Sequence, residues 1–217
     1  MGMAAASSAD AHAPRPERSR RRRARLALLG GAWALLSLPL VAADWSWPWV
    51  ATLSRAGPWS SVRAAVDDPY VVFGALAGLS FLVIGIALLP DLRRAGWGGI
   101  VMLVSVLAGS IVSPLSYLGT PASSPLHSLW GSEGPLLVAV GIAGVLAAVT
   151  ARGWPPALRL LLAATLLVLV AGTFALGYYP HGPLMALAIE AAVLILGAHG
   201  ASRLRPEGAD GPPSRPR

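Results

Sequence analysis

Cysteine, lysine, asparagine and glutamine are all missing from this chain of 217 residues. Without cysteine there can be no disulfide, thiolate zinc site or iron–sulfur cluster. The joint absence of Lys, Asn and Gln, beside abundant Ala, Gly, Pro and Arg, reads as the codon usage of a GC-rich genome. The use of arginine for all seventeen basic residues therefore carries no chemistry of its own. Charge is scarce as well: 12% of residues are charged and 55% are hydrophobic, against roughly a quarter charged in soluble domains. That balance excludes an ordinary soluble globular protein. Chemical signatures are missing too. There is no HExxH spacing, phosphate-binding glycine loop, nucleophile elbow or pair of in-membrane histidines for haem, so no metal, cofactor or catalytic centre is expected.

The apolar residues are gathered into six runs, at about 26–43, 70–89, 97–118, 135–151, 157–177 and 184–200. Runs of this length cross a hydrocarbon core of ~30 Å at ~1.5 Å per helical residue. Backbone groups in lipid must be satisfied within the segment, so each run is a helix. The expected fold is all-α, a polytopic transmembrane bundle of six spans over 26–200, flanked by a basic tail (1–25) and a C-terminal tail (201–217), both disordered and both cytoplasmic. Nothing outside the spans is long enough to bury a core of its own.

Orientation follows from the arginines. With the N-terminus inside, fifteen of the seventeen fall in cytoplasmic segments, and only Arg55 and Arg63 lie outside, both in the long first loop. The positive-inside rule is met at every loop. The formal charge of +7 is thus topological, and no nucleic-acid partner is expected. Aromatic rings mark the same ends, with Trp97 and Trp154 inside and Trp45, Trp47, Trp49, Tyr70, Tyr117, Trp130, Tyr178 and Tyr179 outside. Pro69, Pro135 and Pro183 suit first helical positions, and Asp67, Asp68 and Glu133 suit the positive end of a helix dipole. The first span, basic before it and ending "VAA" at Ala43, has a signal peptide's outline, but its apolar run of about 18 residues is longer than the usual ~7–15, and it is read as a retained anchor.

Helices in lipid pack through small residues. Gly74, Gly78 and Gly85 form one such stripe, and Ala139, Ala143, Gly144, Ala147 and Ala148 another. The second and fourth spans also share a faint pattern, "PYVVFGALAGL" against "PLLVAVGIAGV", which aligns Gly78 with Gly144 and hints at repeated hairpins.

Glu190, alone in "PLMALAIEAAVLILGAHG", is the candidate functional residue, because an intramembrane carboxyl is costly and faces a bundle interior or an aqueous cavity. Its candidate partners are the hydroxyls of Ser80, Ser105, Ser110, Thr165 and Thr173. Asp67, Asp68, His127, Glu133 and His181 form a second candidate, a polar cluster at the outer face. The four tryptophans of the first loop, at 45, 47, 49 and 59, suit an interfacial belt. The expected partners are the lipid bilayer and other membrane proteins met through small-residue faces.

The layout resembles an uncharacterised group of bacterial six-span membrane proteins, filed as a domain of unknown function. The resemblance lies in an external loop after the first span, the arginine-bearing turn "DLRRAGW" after the second, and a last span carrying an acid and followed by "ASRLRP". It implies a fold and no activity. The expectation is a non-catalytic structural, regulatory or assembly component of a bacterial cytoplasmic membrane. The alternatives are a small proton- or cation-coupled transporter using Glu190, and an enzyme acting on lipid or envelope precursors.

Overall fold

In a computed structural model of the chain, the described residues are 69–176 without a break, together with 18–19, 21–30, 52, 60, 61 and 64. They are all-helical, with no strand among them. Four long helices dominate: α1 (Pro69–Arg94), α2 (Trp97–Leu118), α3 (Glu133–Thr150) and α4 (Pro156–Leu176). All four are long and apolar enough to cross a membrane. They are the second to fifth of the expected spans; the sixth, and the first beyond residue 30, lie outside the described residues.

The boundaries follow local chemistry. α2 covers 97–118 as expected, because Gly96 has φ 82°, a left-handed conformation that glycine adopts without a Cβ penalty. α1 therefore turns into α2 across Ala95 and Gly96 alone. α1 itself runs five residues past its expected end at 89 and carries Pro90 inside it. A proline forfeits one backbone donor but keeps a helical φ, and Arg93 and Arg94 in the last turn complement the negative end of the helix dipole. α3 begins at Glu133 rather than 135, which puts Pro135 in third place, where the backbone N–H lacks an intrahelical acceptor in any case.

Each helix packs antiparallel on its sequence neighbour, α1 on α2, α2 on α3 and α3 on α4. Small residues permit the approach. A Cβ at Gly78 would lie 2.6 Å from Pro114 Cγ and 2.9 Å from the Ser110 carbonyl, and one at Gly74 3.0 Å from Tyr117 Cβ, so the glycine stripe of α1 seats the proline of α2. Phe81 of α1 fills the place of a side chain at Gly109, where a Cβ would meet its ring at 2.5 Å. In the second hairpin a Cβ at Gly144 would lie as close to the Leu162 carbonyl, at 2.6 Å. Gly78 and Gly144, aligned by the repeated pattern, thus do the same work, each pressed on a carbonyl of the following helix. Ala143, Ala147 and Ala148 are buried beside Gly144. Ala139, expected in that stripe, is exposed, since it lies on the far side of α3.

Residues 21–30 run antiparallel to α1. Ala24 and Ala27 are buried, a Cβ at Gly30 would lie 3.1 Å from Ile84 Cγ1, and Arg23 Nη1 forms an ion pair with Asp91 Oδ2. Phe81, Ile84, Leu92, Val106 and Val140 form the fully buried centre. Leu160, Leu167 and Phe174, spaced seven apart along α4, are about 70% exposed (72%, 69% and 71%), an apolar face of the kind that lipid or another helix covers.

Candidate functional site

The chain places its most unusual chemistry where α2 ends and α3 begins. Ser113, Ser116 and Tyr117 stand at i, i+3 and i+4 and share one face of α2. All three are buried. The connection that follows folds back on them. Gly119 closes α2, a single 3₁₀ turn covers His127–Leu129, and Gly131, with φ 81°, donates its N–H to Ser116 Oγ at 3.2 Å. This return aims Glu133, the first residue of α3, inward, where it is fully buried. Ser113 Oγ donates to Glu133 Oε1 at 2.6 Å, and Tyr117 is buried one turn farther along the same face of α2.

Glu133 was expected to suit the positive end of a helix dipole and to belong to an outer-face polar cluster. It does stand in the first turn of α3, and its side chain crosses to α2, because the loop from Gly119 to Ser132 is pinned against the end of that helix and leaves the first residue of α3 beneath it. Tyr117 was expected as an interfacial ring, and it too is buried, with its Cβ against Gly74 of α1. Among the described residues no arginine or histidine pairs with Glu133. An isolated charge at such a place is costly, and the Ser113 hydroxyl together with the N-terminal end of the helix dipole is what the fold supplies in its place.

His127 is separated from this carboxyl by its own engagements. Its Nδ1 lies 2.9 Å from the Gly119 carbonyl; a carbonyl only accepts, so Nδ1 carries the proton. The ring also stacks on Trp130 at 6.0 Å, with planes 8° apart. Of the expected outer cluster, Asp67, Asp68 and His181 lie outside the described residues, and the remaining two, His127 and Glu133, serve different contacts. Among the described residues no group of three or more His, Cys, Asp or Glu could hold a metal ion.

Glu190 also lies outside the described residues, whereas its five candidate partners lie within them. Three donate to their own helices: Ser105 Oγ to the Val101 carbonyl at 3.0 Å, Ser110 Oγ to Leu107 at 2.7 Å and Thr173 Oγ1 to Leu169 at 2.9 Å. Thr165 and Ser80 are buried, and Ser80 Oγ has no hydrogen-bond partner among the described residues.

Two arginines that the sequence left as topology markers, Arg23 and Arg159, make structural contacts. Asp91, part of the "DLRRAGW" turn, is buried and is met by Arg23, 68 positions away. Arg159 Nε donates to the Ala148 carbonyl at 2.8 Å and ties α4 to α3. No local pattern announces either contact; for the Glu133 site, the i, i+3, i+4 spacing of Ser113, Ser116 and Tyr117 is the signal that could have found a polar face. Comparison with family models, with curated proteins and with solved structures finds no match to this chain.

Proposed function

We propose that the chain is a six-span integral protein of a bacterial cytoplasmic membrane, with both termini in the cytoplasm, that acts as a structural, regulatory or assembly component rather than as a catalyst. The observation that carries this reading is the Ser113–Glu133 bond between α2 and α3: a fully buried carboxyl is used to join two helices. Three other buried or half-buried polar contacts repeat that use, Arg23 with Asp91, Thr150 with the Ala95 carbonyl and Arg159 with the Ala148 carbonyl. The arginine distribution supports the orientation, because Arg23, Arg93, Arg94, Arg152 and Arg159 all sit at one end of the described helices, as the positive-inside rule requires. The resemblance to the bacterial six-span group supports the span count.

A transporter using Glu190 is the second reading, and what favours it is Ser80, whose buried hydroxyl has no described partner and stands ready for one. An enzyme acting on lipid or envelope precursors is the third. Reporter fusions after residues 92 and 205 are expected to report cytoplasm, and fusions after 125 and 181 the exterior; reversed signals at any two overturn the topology. For the role, purified protein in proteoliposomes is expected to leak protons and monovalent cations no faster than empty vesicles. A flux carried by the wild type and lost in a folded Glu190→Gln variant replaces the structural reading with the transport one.

A further inference from the structure

The helical residues 18–19 and 21–30 have two faces of opposite character. Arg23, Ala24, Ala27 and Gly30 turn toward α1, fixed there by the ion pair to Asp91 and by contact with Ile84. Arg18, Arg21, Arg22 and Arg25 recur at i, i+3, i+4 and i+7 on the other face. With Leu26 and Leu29 they line a groove of about 390 Å³. The docking of Arg23 fixes which way this groove points, so the four arginines project from one face of a helix whose orientation is set.

We propose that this groove binds an anionic phospholipid, with the phosphate among Arg18, Arg21, Arg22 and Arg25 and an acyl chain along Leu26 and Leu29. Three features carry the assignment. Guanidiniums match phosphate oxygens in charge and in fork geometry. The apolar residues follow the arginines on the same face, Leu29 lying 52% exposed. The direction of the groove is that of a lipid in its leaflet, since Arg23 stands at the arginine-rich end of α1, beside Asp91, while Gly30, one residue beyond Leu29, reaches Ile84 farther along the bundle. A free phosphate has no use for the leucines, and a nucleic acid has none for their depth. The proposal rests on the reading of the chain as membrane-spanning, which the reporter fusions test separately.

The test uses the full chain in neutral detergent, titrated with phosphatidylglycerol and read by native mass spectrometry. Each basic residue near a membrane surface is worth about a fivefold change in affinity, so Arg21→Gln/Arg22→Gln is expected to weaken binding about 25-fold. Arg93→Gln/Arg94→Gln removes the same charge at the same end of the bundle and is expected to change binding by less than about threefold. Leu26→Ser/Leu29→Ser is expected to weaken binding of the long-chain lipid while leaving a dibutyryl analogue unaffected. Equal losses in the two arginine variants overturn the site in favour of general surface charge, and undiminished binding in both overturns it outright. Inorganic phosphate competing as well as the lipid makes it a free-anion site, and displacement by a duplex oligonucleotide makes it a nucleic-acid one. Thermal midpoints establish that each variant is folded, and the single Arg22→Gln, expected to cost about fivefold, decides the matter if a double variant does not fold.

Discussion

The two ends of the described bundle hold their polar groups in different ways. At the arginine-rich end, beside the Thr150 hydroxyl on the Ala95 carbonyl, two contacts are made by charges and by reach: Arg23 spans from residues 21–30 to Asp91 on α1, and Arg159 bridges from α4 to a carbonyl of α3. At the opposite end they are short and mostly uncharged: Ser113 to Glu133, the Gly131 N–H to Ser116, His127 to the Gly119 carbonyl. Both ends bury a carboxyl group, Asp91 at one and Glu133 at the other. Asp91 has a guanidinium, and Glu133 has the Ser113 hydroxyl and the start of a helix. The difference lies in the supply of partners. Topology concentrates arginine at one end, so a buried acid there finds a cation, while the one at the other end depends on a serine of a neighbouring helix.

The comparison can be broken most directly at Asp91. Removing one partner of a buried ion pair leaves the other without compensation, at about 3–5 kcal/mol. Arg23→Ala is therefore expected to be the most damaging of the substitutions considered for this comparison, read by chemical denaturation in detergent, with Arg23→Ala/Asp91→Ala recovering much of the loss. If Arg23→Ala costs no more than Arg22→Ala, the ion pair contributes nothing and the contrast between the ends collapses.

At the other end the expected effect is smaller. Glu133→Leu deletes the acceptor of the Ser113 bond, and interhelical hydrogen bonds in membranes are worth about 0.6–1.7 kcal/mol. Glu133→Gln keeps a carbonyl acceptor for Ser113, so its thermal midpoint is expected to fall close to that of the wild type and well above that of the Leu variant. A Gln variant as unstable as Leu would show that the carboxyl has an indispensable property beyond accepting from Ser113. The smallest effect is expected at Thr150, whose hydroxyl reaches the Ala95 carbonyl at 2.6 Å and its own helix at Leu146, 3.0 Å away. Thr150→Val keeps the shape and should cost about 0.6 kcal/mol. A larger loss there than in Glu133→Leu reverses the proposed order of the contacts.

Helix positions were legible in the sequence because a bilayer sets length and apolarity together: α2 lies where it was expected, and the glycines of α1 face their neighbour. Boundaries moved near prolines, since Pro90 lies within α1 and Pro135, expected as a first helical residue, stands third in α3. The site was less legible. Glu133 and Tyr117 looked interfacial because each stands at a helix end, and a linear reading does not show that the connection between α2 and α3 folds over them. The Arg23–Asp91 pair was invisible for a different reason: positive-inside counting treats every arginine as a topological mark and has no term for one that is engaged by an acid of another helix. For Glu190, Asp67, Asp68 and His181, outside the described residues, the comparison between reading and structure does not arise.

The same ion pair has a consequence in time. A chain emerges during synthesis at about 5–20 residues per second, and Arg23 and Asp91 are 68 positions apart. The arginine is therefore made roughly 3 to 14 s before the acid that neutralises it. The contact that fixes residues 21–30 on α1 can therefore close only after α1 has been made almost to its end.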